Sequence, residues 1–141
     1  MIPLFKKISG QQQLKTHVFA FLAEMEKNLE FFYVMDQRQF ISHGFLHETW
    51  VLVKDLDLVK RHESVLVYIA AVEDFNRCLN AFKAYETWYA SDLQHRSPEN
   101  ARKLHTLKHE LDQKLTGMEA VIIPAGQDVE REMVQLGLLK A

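Results

Sequence analysis

Histidine is the residue type in this sequence whose spacing most invites a chemical interpretation. The chain contains seven histidines, and His43 with His47, like His105 with His109, stand four residues apart. Residues four apart share one face of a helix, so each pair could direct two imidazoles at a metal ion. Ligands inside a helical bundle must point inward, however, and His47, His105 and His109 fall away from the apolar stripes of their segments. We therefore expect solvated surface histidines and no cofactor, and metal binding through the paired histidines stays open as a third functional hypothesis.

A second concentration of reactive side chains spans residues 36–50, with the sequence DQRQFISHGFLHETW. Acidic, basic, imidazole and aromatic groups occur here more densely than elsewhere in the chain. Two interpretations stay open, a binding pocket at one end of a bundle and a corner held by capping bonds and a weak Asp36–Arg38 surface pair. The residues that would line the pocket are Asp36, Arg38, His43, His47, Glu48 and Trp50.

Within this corner, four residues separate an arginine from a histidine in Arg38-Gln-Phe-Ile-Ser-His43. The spacing resembles the R-x4-6-H signature of the HEPN-type ribonucleases, which are all-α and usually dimeric. The resemblance implies that His43 would handle the proton of the attacking 2′-hydroxyl or of the leaving oxygen, and that Arg38 would hold the phosphate. It is confined to this short motif, and only one predicted helix precedes it. An RNA-cleaving bundle is therefore the alternative function.

The spacing of apolar residues predicts an all-α fold around one central helix. Residues 14–35 lack glycine and proline and repeat apolar side chains at intervals of three and four, which is typical of a helix that is covered on one side or more. Further helices are predicted over 45–61 and 65–91, and a fourth begins after the Ser97 cap and ends at Pro124-Ala125-Gly126. With a first helix over 12–37 and a short helix over 128–136, we expect an up-and-down four-helix bundle with a short fifth C-terminal helix, in a single domain over residues 1–141.

Several large apolar residues of the central helix lie outside its main stripe, so part of the apolar surface is left for a partner. We expect an interface formed by Phe19, Phe31, Tyr33 and Val34, with Tyr85 and Trp88 adding apolar surface further along the chain. Protein association, through a homodimer or partner helices, is therefore the leading functional hypothesis.

Composition excludes several other classes of function. A net charge of −2 makes nucleic acid an unlikely partner, and no apolar run approaches the roughly 20 residues of a membrane helix. The single cysteine, Cys78, allows no internal disulfide, so we expect a soluble cytoplasmic protein. Glycine-rich phosphate loops, Ser-His-Asp arrangements and Cys/His zinc patterns do not occur. The sequence therefore favours a non-enzymatic role.

Overall fold

The computed structural model describes residues 2–139, with side chains from residue 12 onward, and this part of the chain is helical without a strand. Residues 1, 140 and 141 of the predicted domain lie outside this range. The helices are α1 (Ile2–Arg38), α2 (Trp50–Val53), α3 (Asp57–Lys60), α4 (Glu63–Ser91), α5 (Pro98–Thr116) and α6 (Met118–Gln135), with a 3-10 turn over Leu93–His95. The predicted all-α bundle is confirmed.

Helix α4 is the element along which α5 and α6 are arranged one after the other. It packs on α6 near its start, where Ser64 contacts Asp128, and on α5 from about its middle onward, where Asp74 contacts Lys114. Gly117 ends α5 and precedes α6, because glycine is a poor helix former. Helix α1 packs against α6 and α2, so the core lies between α1, α4 and α6.

The core is formed by apolar side chains at the helical spacing that the sequence predicts. Helix α1 contributes one stripe, and α4, α5 and α6 contribute the facing ones. The buried hydrophobic side chains of these four helices are Val18, Phe21, Met25, Phe32, Met35, Val65, Tyr68, Ile69, Val72, Phe75, Leu79, Leu111, Leu115, Met118, Ile122, Ala125, Val129 and Met133.

The predicted helix over 45–61 is wrong. Residues 40–47 have no regular helix, and the segment continues through only two single turns, α2 and α3. Its apolar residues still serve the core, since Phe45, Val53 and Val59 are buried. The segment fills the space between α1 and α4, and hydrogen bonds from neighbouring side chains satisfy its backbone where a helix would have done so.

The end of the chain also differs from the prediction. The expected short helix over 128–136 is part of the longer α6, which contains Pro124 in its interior, whereas Pro124-Ala125-Gly126 was expected to end a helix. Pro124 is exposed, so its ring displaces no core residue, although it removes one backbone hydrogen bond. Gly137 then ends the helix with φ of 73°. Its N–H donates to Val134 and that of Leu138 donates to Met133, as in a Schellman motif.

Candidate functional site

The segment 39–49 contains the predicted catalytic histidine and is fixed by two asparagine side chains. Asn28 in α1 accepts from the N–H of Leu46 at 2.7 Å and donates to its carbonyl at 2.9 Å. Asn76 in α4 accepts from the N–H of Phe45 at 2.8 Å and donates to its carbonyl at 2.9 Å. The two amides thus satisfy this backbone as a neighbouring strand would. We call this arrangement the asparagine clasp.

A buried carboxylate extends the clasp to the start of α2. Glu24 is 7% exposed and accepts hydrogen bonds from the N–H groups of Glu48 and Thr49, at 3.0 and 3.2 Å, and from the Thr49 hydroxyl at 2.9 Å. Because these N–H groups directly precede α2, Glu24 holds the chain in place at the start of that helix. Asn28 also donates to the hydroxyl of Tyr68 at 2.8 Å, and burial raises the pKa of Tyr68 far above its usual range.

The predicted catalytic pair lies at the surface. Arg38 is the last residue of α1 and is exposed, and it has neither an ion pair nor a hydrogen bond within the described residues. His43 is also exposed, with its ring against Phe31 at 4.4 Å between centroids and its Nδ1 donating to the carbonyl of Gly44 at 2.8 Å. That bond leaves Nε2 of His43 as the nitrogen for proton transfer. No hydrogen bond within the described residues joins Arg38 to His43.

The remaining residues of the predicted pocket face different neighbours. Asp36 lines a cleft of about 150 Å³ beside the end of α5. Nε2 of His47 lies 3.0 Å from Oε1 of Glu73 in α4, without the alignment of a hydrogen bond. Trp50 packs on Phe21, with 6.0 Å between ring centroids. The corner therefore contacts α1, α4 and α5 separately, and these residues do not line the cleft that contains Asp36.

The four residues of the predicted interface differ in exposure and in the neighbours that they contact. Phe19 is half-buried and lines a groove against α6. Phe31 lies on another flank, beneath His43. Tyr33 and Val34 are 48% and 46% exposed, and a hydrogen-bonding interaction with the carboxylate of Glu119 in α6 raises the pKa of the Tyr33 hydroxyl.

The two predicted histidine pairs lie in different kinds of structure. His43 and His47 lie in the non-helical segment, so the helical spacing argument does not apply to them. His105 and His109 are exposed on α5, and Nε2 of His109 lies 3.1 Å from the side-chain nitrogen of Gln113. Among residues 12–139, no group of three histidine, cysteine or acidic side chains has the arrangement that a metal ion requires.

A polar cluster that the sequence analysis missed joins the start of α4 to the end of α6. Nε2 of His62 lies 3.0 Å from Oε1 of Glu132, and its Nδ1 lies 3.9 Å from Oδ2 of Asp128. The hydroxyl of Ser64 donates to Asp128 at 2.6 Å, and Arg61 approaches Glu132 at 3.2 Å. Both ring nitrogens of His62 face carboxylates, and the hydroxyl of Ser64 faces Asp128 instead of the imidazole. The cluster therefore lacks a serine–histidine pair that could act as nucleophile and base. Its contacts connect α4 to α6.

Replacing Ser64 by alanine should make the free energy of unfolding depend less steeply on pH in the acidic range. The hydrogen bond from Ser64 lowers the pKa of Asp128 below its usual range, so the ionised carboxylate stabilises the fold at neutral pH. This contribution is lost as the pH falls through the lowered pKa. We expect Ser64→Ala to cost about 1 kcal/mol at pH 7 and less at pH 3. Urea unfolding at both values measures this, with the exposed Ser42→Ala as control. Equal losses of stability at pH 7 and pH 3 would contradict the proposed link between this hydrogen bond and the ionised carboxylate of Asp128.

The second half of α4 and most of α5 form a projecting hairpin, residues 80–110, which we call the arm. None of its residues is buried. From Leu79, the last buried residue of α4, to Ser91 the helix rises about 18 Å. Phe82, Leu104 and Leu107 lie half-buried along the arm.

Stacking and capping order the tip of the arm. Trp88 and His95 stack with 4.0 Å between ring centroids and 10° between planes, and Nδ1 of His95 donates to the carbonyl of Trp88 at 2.7 Å. Ser97 accepts from the N–H of Asn100 at the start of α5, as its sequence position predicts.

An open groove of about 540 Å³ runs between α1 and α6. We call it the α1–α6 groove. Its apolar lining comes from both helices and from the turn that follows Gly137, while exposed polar residues form its rim. The apolar lining is Phe19, Leu22, Ala23, Met25, Leu29, Ile122, Ile123 and Leu139, and the polar residues are Glu26, Gln127 and Glu130. Leu22 and Leu29 belong to the apolar stripe that the sequence predicts, but which helix they would face was not visible in the sequence.

Comparison with known proteins does not assign this all-α bundle to a family, because no family model, curated protein or solved structure matches the chain. Within residues 2–139, none of the helices combines the length and the apolar character that crossing a bilayer requires.

Proposed function

We propose that the protein functions by association, as a homodimer that pairs through the arm. The observation that carries the proposal is the absence of buried residues between positions 80 and 110, although aromatic and aliphatic side chains follow the seam between α4 and α5. Apolar side chains that remain half-exposed over such a length are typical of surfaces that bind another protein.

The geometry of a helical hairpin supports pairing with a second arm. Two antiparallel helices cover each other along one line, so the edges of their shared seam stay open to water. Two such hairpins packed together form a four-helix bundle, which closes these edges. The arm carries charges of both signs, for example Lys83 and Glu86 on α4 and Lys103 and Glu110 on α5. Pairing two copies therefore does not require like charges to face each other.

Placing a charge in the seam should convert the dimer into a monomer. We expect sedimentation equilibrium to find the wild type dimeric and Leu107→Lys at least tenfold weaker in self-association, because the lysine would be desolvated at the contact. Thr106→Lys is the matched control, since it adds the same charge on the exposed face of α5 and should leave the dimer intact. Trp88→Gln, at a 42% exposed position, should weaken the dimer while keeping the helical circular dichroism.

Three results would refute this proposal. A wild type that stays monomeric up to about 1 mM, the weak end of specific affinities, would exclude the homodimer. Equal dimerisation of Leu107→Lys and Thr106→Lys would exclude the arm as the contact. If Leu107→Lys lost its helical circular dichroism, the test would rest on the folded Trp88→Gln variant. A dimer dissociation constant that Trp88→Gln leaves unchanged would also exclude the arm as the contact.

The ribonuclease alternative remains a prediction. One observation favours it, namely that the bond from Nδ1 of His43 to Gly44 holds the imidazole with Nε2 as its free nitrogen. Arg38 lacks a comparable constraint within the described residues. A cytoplasmic location is likewise proposed from the single cysteine, Cys78, which suits a reducing compartment.

A further inference from the structure

The α1–α6 groove combines an apolar floor with a negatively charged rim. Glu26 of α1 and Glu130 of α6 line it and are exposed, and the described lining residues include neither lysine nor arginine. At one end, Nζ of Lys15 lies 5.5 Å from the ring centroid of Phe19, so this aromatic face already accepts a cation. Glu30, farther along α1, is paired with Lys27 at 3.5 Å. Among the described residues that line the groove, the only charged ones are therefore the acidic Glu26 and Glu130.

We propose that the α1–α6 groove binds an amphipathic helix of a partner protein, with apolar residues on one face and lysine or arginine beside them. A trough between two helices is a common receptor for such a ligand, which inserts side chains spaced three and four residues apart. From Phe19 to Leu29 the α1 wall extends about 15 Å, which corresponds to roughly ten residues of a docked helix. The basic residues of that helix would lie against Glu26 and Glu130.

Charge argues against a second copy of this chain as the occupant. Symmetric pairing of two grooves would place Glu26 and Glu130 opposite the same residues of the other copy, and facing like charges are unfavourable. Helix α5, which carries basic residues beside an apolar face, already packs on α4 within the same molecule. Binding at the groove is thus independent of dimerisation through the arm.

Three synthetic helical peptides of equal length test the proposal. The first has leucine at intervals of three and four residues and lysine at the other positions, so that leucine forms one face of the helix. The second replaces every lysine by glutamate, and the third scrambles the first. We expect fluorescence anisotropy to find saturable binding of the first peptide, weakening with added salt, and at least tenfold weaker binding of the other two. Methyl NMR signals of Ile122 and Ile123 should shift during the titration, because both line the groove.

Matched variants locate the binding. Glu26→Gln combined with Glu130→Gln should weaken the leucine–lysine peptide about tenfold, whereas Glu86→Gln combined with Glu99→Gln, on the arm, removes the same charge and should change nothing. Ala23→Arg, at an exposed rim position, should abolish binding by blocking the groove and repelling lysine.

Several outcomes would overturn the proposal. These are absence of saturable binding, equal binding of the glutamate peptide, and equal weakening by the two charge-removing pairs. Binding of the neutral apolar dye nile red at the groove without binding of the basic peptide would indicate a small-molecule site. Self-association that Ala23→Arg abolishes and Leu107→Lys does not would indicate that a second copy of this chain occupies the groove. A monomeric wild type that binds the basic peptide would reject only the homodimer proposal.

Discussion

Replacing Asn28 by leucine is expected to lower the free energy of unfolding by about 3–5 kcal/mol, a large part of a small domain's stability. Asn28 is fully buried and bonds both backbone groups of Leu46 and the hydroxyl of Tyr68. Leucine is similar in size but offers no polar atom. The N–H and carbonyl of Leu46 and the buried hydroxyl of Tyr68 would then lose this partner, at about 1–3 kcal/mol for each buried group left unpaired. Urea unfolding measures the loss.

Two further variants distinguish the loss of the hydrogen bonds of Asn28 from the general effect on stability of adding an apolar residue. Asn80→Leu, at an exposed position of α4, should change stability by no more than about 0.5 kcal/mol. Tyr68→Phe removes one partner of Asn28 and should cost about 1 kcal/mol. Hydrogen exchange at the amide of Leu46 should accelerate in Asn28→Leu and remain slow in Asn80→Leu. Similar stability of Asn28→Leu and Asn80→Leu would show that the clasp does not hold the segment.

Local patterns were sufficient to predict the long helices. In α4, Val65, Val72 and Phe75 are buried as their spacing predicts, because the helical repeat depends only on neighbours in the sequence. The start of α5 at Pro98, after the Ser97 cap, is likewise a local signal, and the structure contains the corresponding bond to Asn100.

The segment 45–61 could not be predicted in this way, because its conformation depends on residues far away in the sequence. Its apolar residues recur at intervals that also suit a helix, and it lacks glycine and proline. The bonds that replace helical ones come from Asn28, 18 residues from Leu46, and from Asn76, 31 residues from Phe45. An asparagine within a helical stripe does not indicate which backbone it will bind, so tertiary contacts overrode the local preference.

Candidate sites were harder to predict than helices for the same reason. The pairing of His62 with Glu132 crosses 70 residues, and the α1–α6 groove exists only because α1 and α6 are neighbours. Conversely, the separation of Arg38 and His43 by four residues indicates nothing about which way their side chains point. The structure leaves Arg38 exposed at a helix end and places the ring of His43 against Phe31.

Gly44→Ala is expected to lower the free energy of unfolding by about 2–4 kcal/mol, again through the clasp. A Cβ at this position would lie 2.3 Å from Oδ1 and 3.0 Å from Cγ of Asn76. The side chain of Asn76 could rotate away, but only by breaking both hydrogen bonds that it makes with the backbone of Phe45. The cost is therefore that of unpaired buried groups and does not arise from the backbone conformation of residue 44. Urea unfolding measures it, with the change in midpoint as the readout.

A double-mutant cycle distinguishes this mechanism from a general intolerance of alanine in the loop. Once Asn76→Ala has removed the clashing amide, adding Gly44→Ala should cost little more, so the double variant should be more stable than the sum of the single losses predicts. Gly126→Ala is the matched control in α6, where a Cβ meets nothing within 4 Å, and alanine should stabilise the helix by roughly 0.5–1 kcal/mol. If the two losses were additive, the effect of Gly44→Ala would not come from its contact with Asn76.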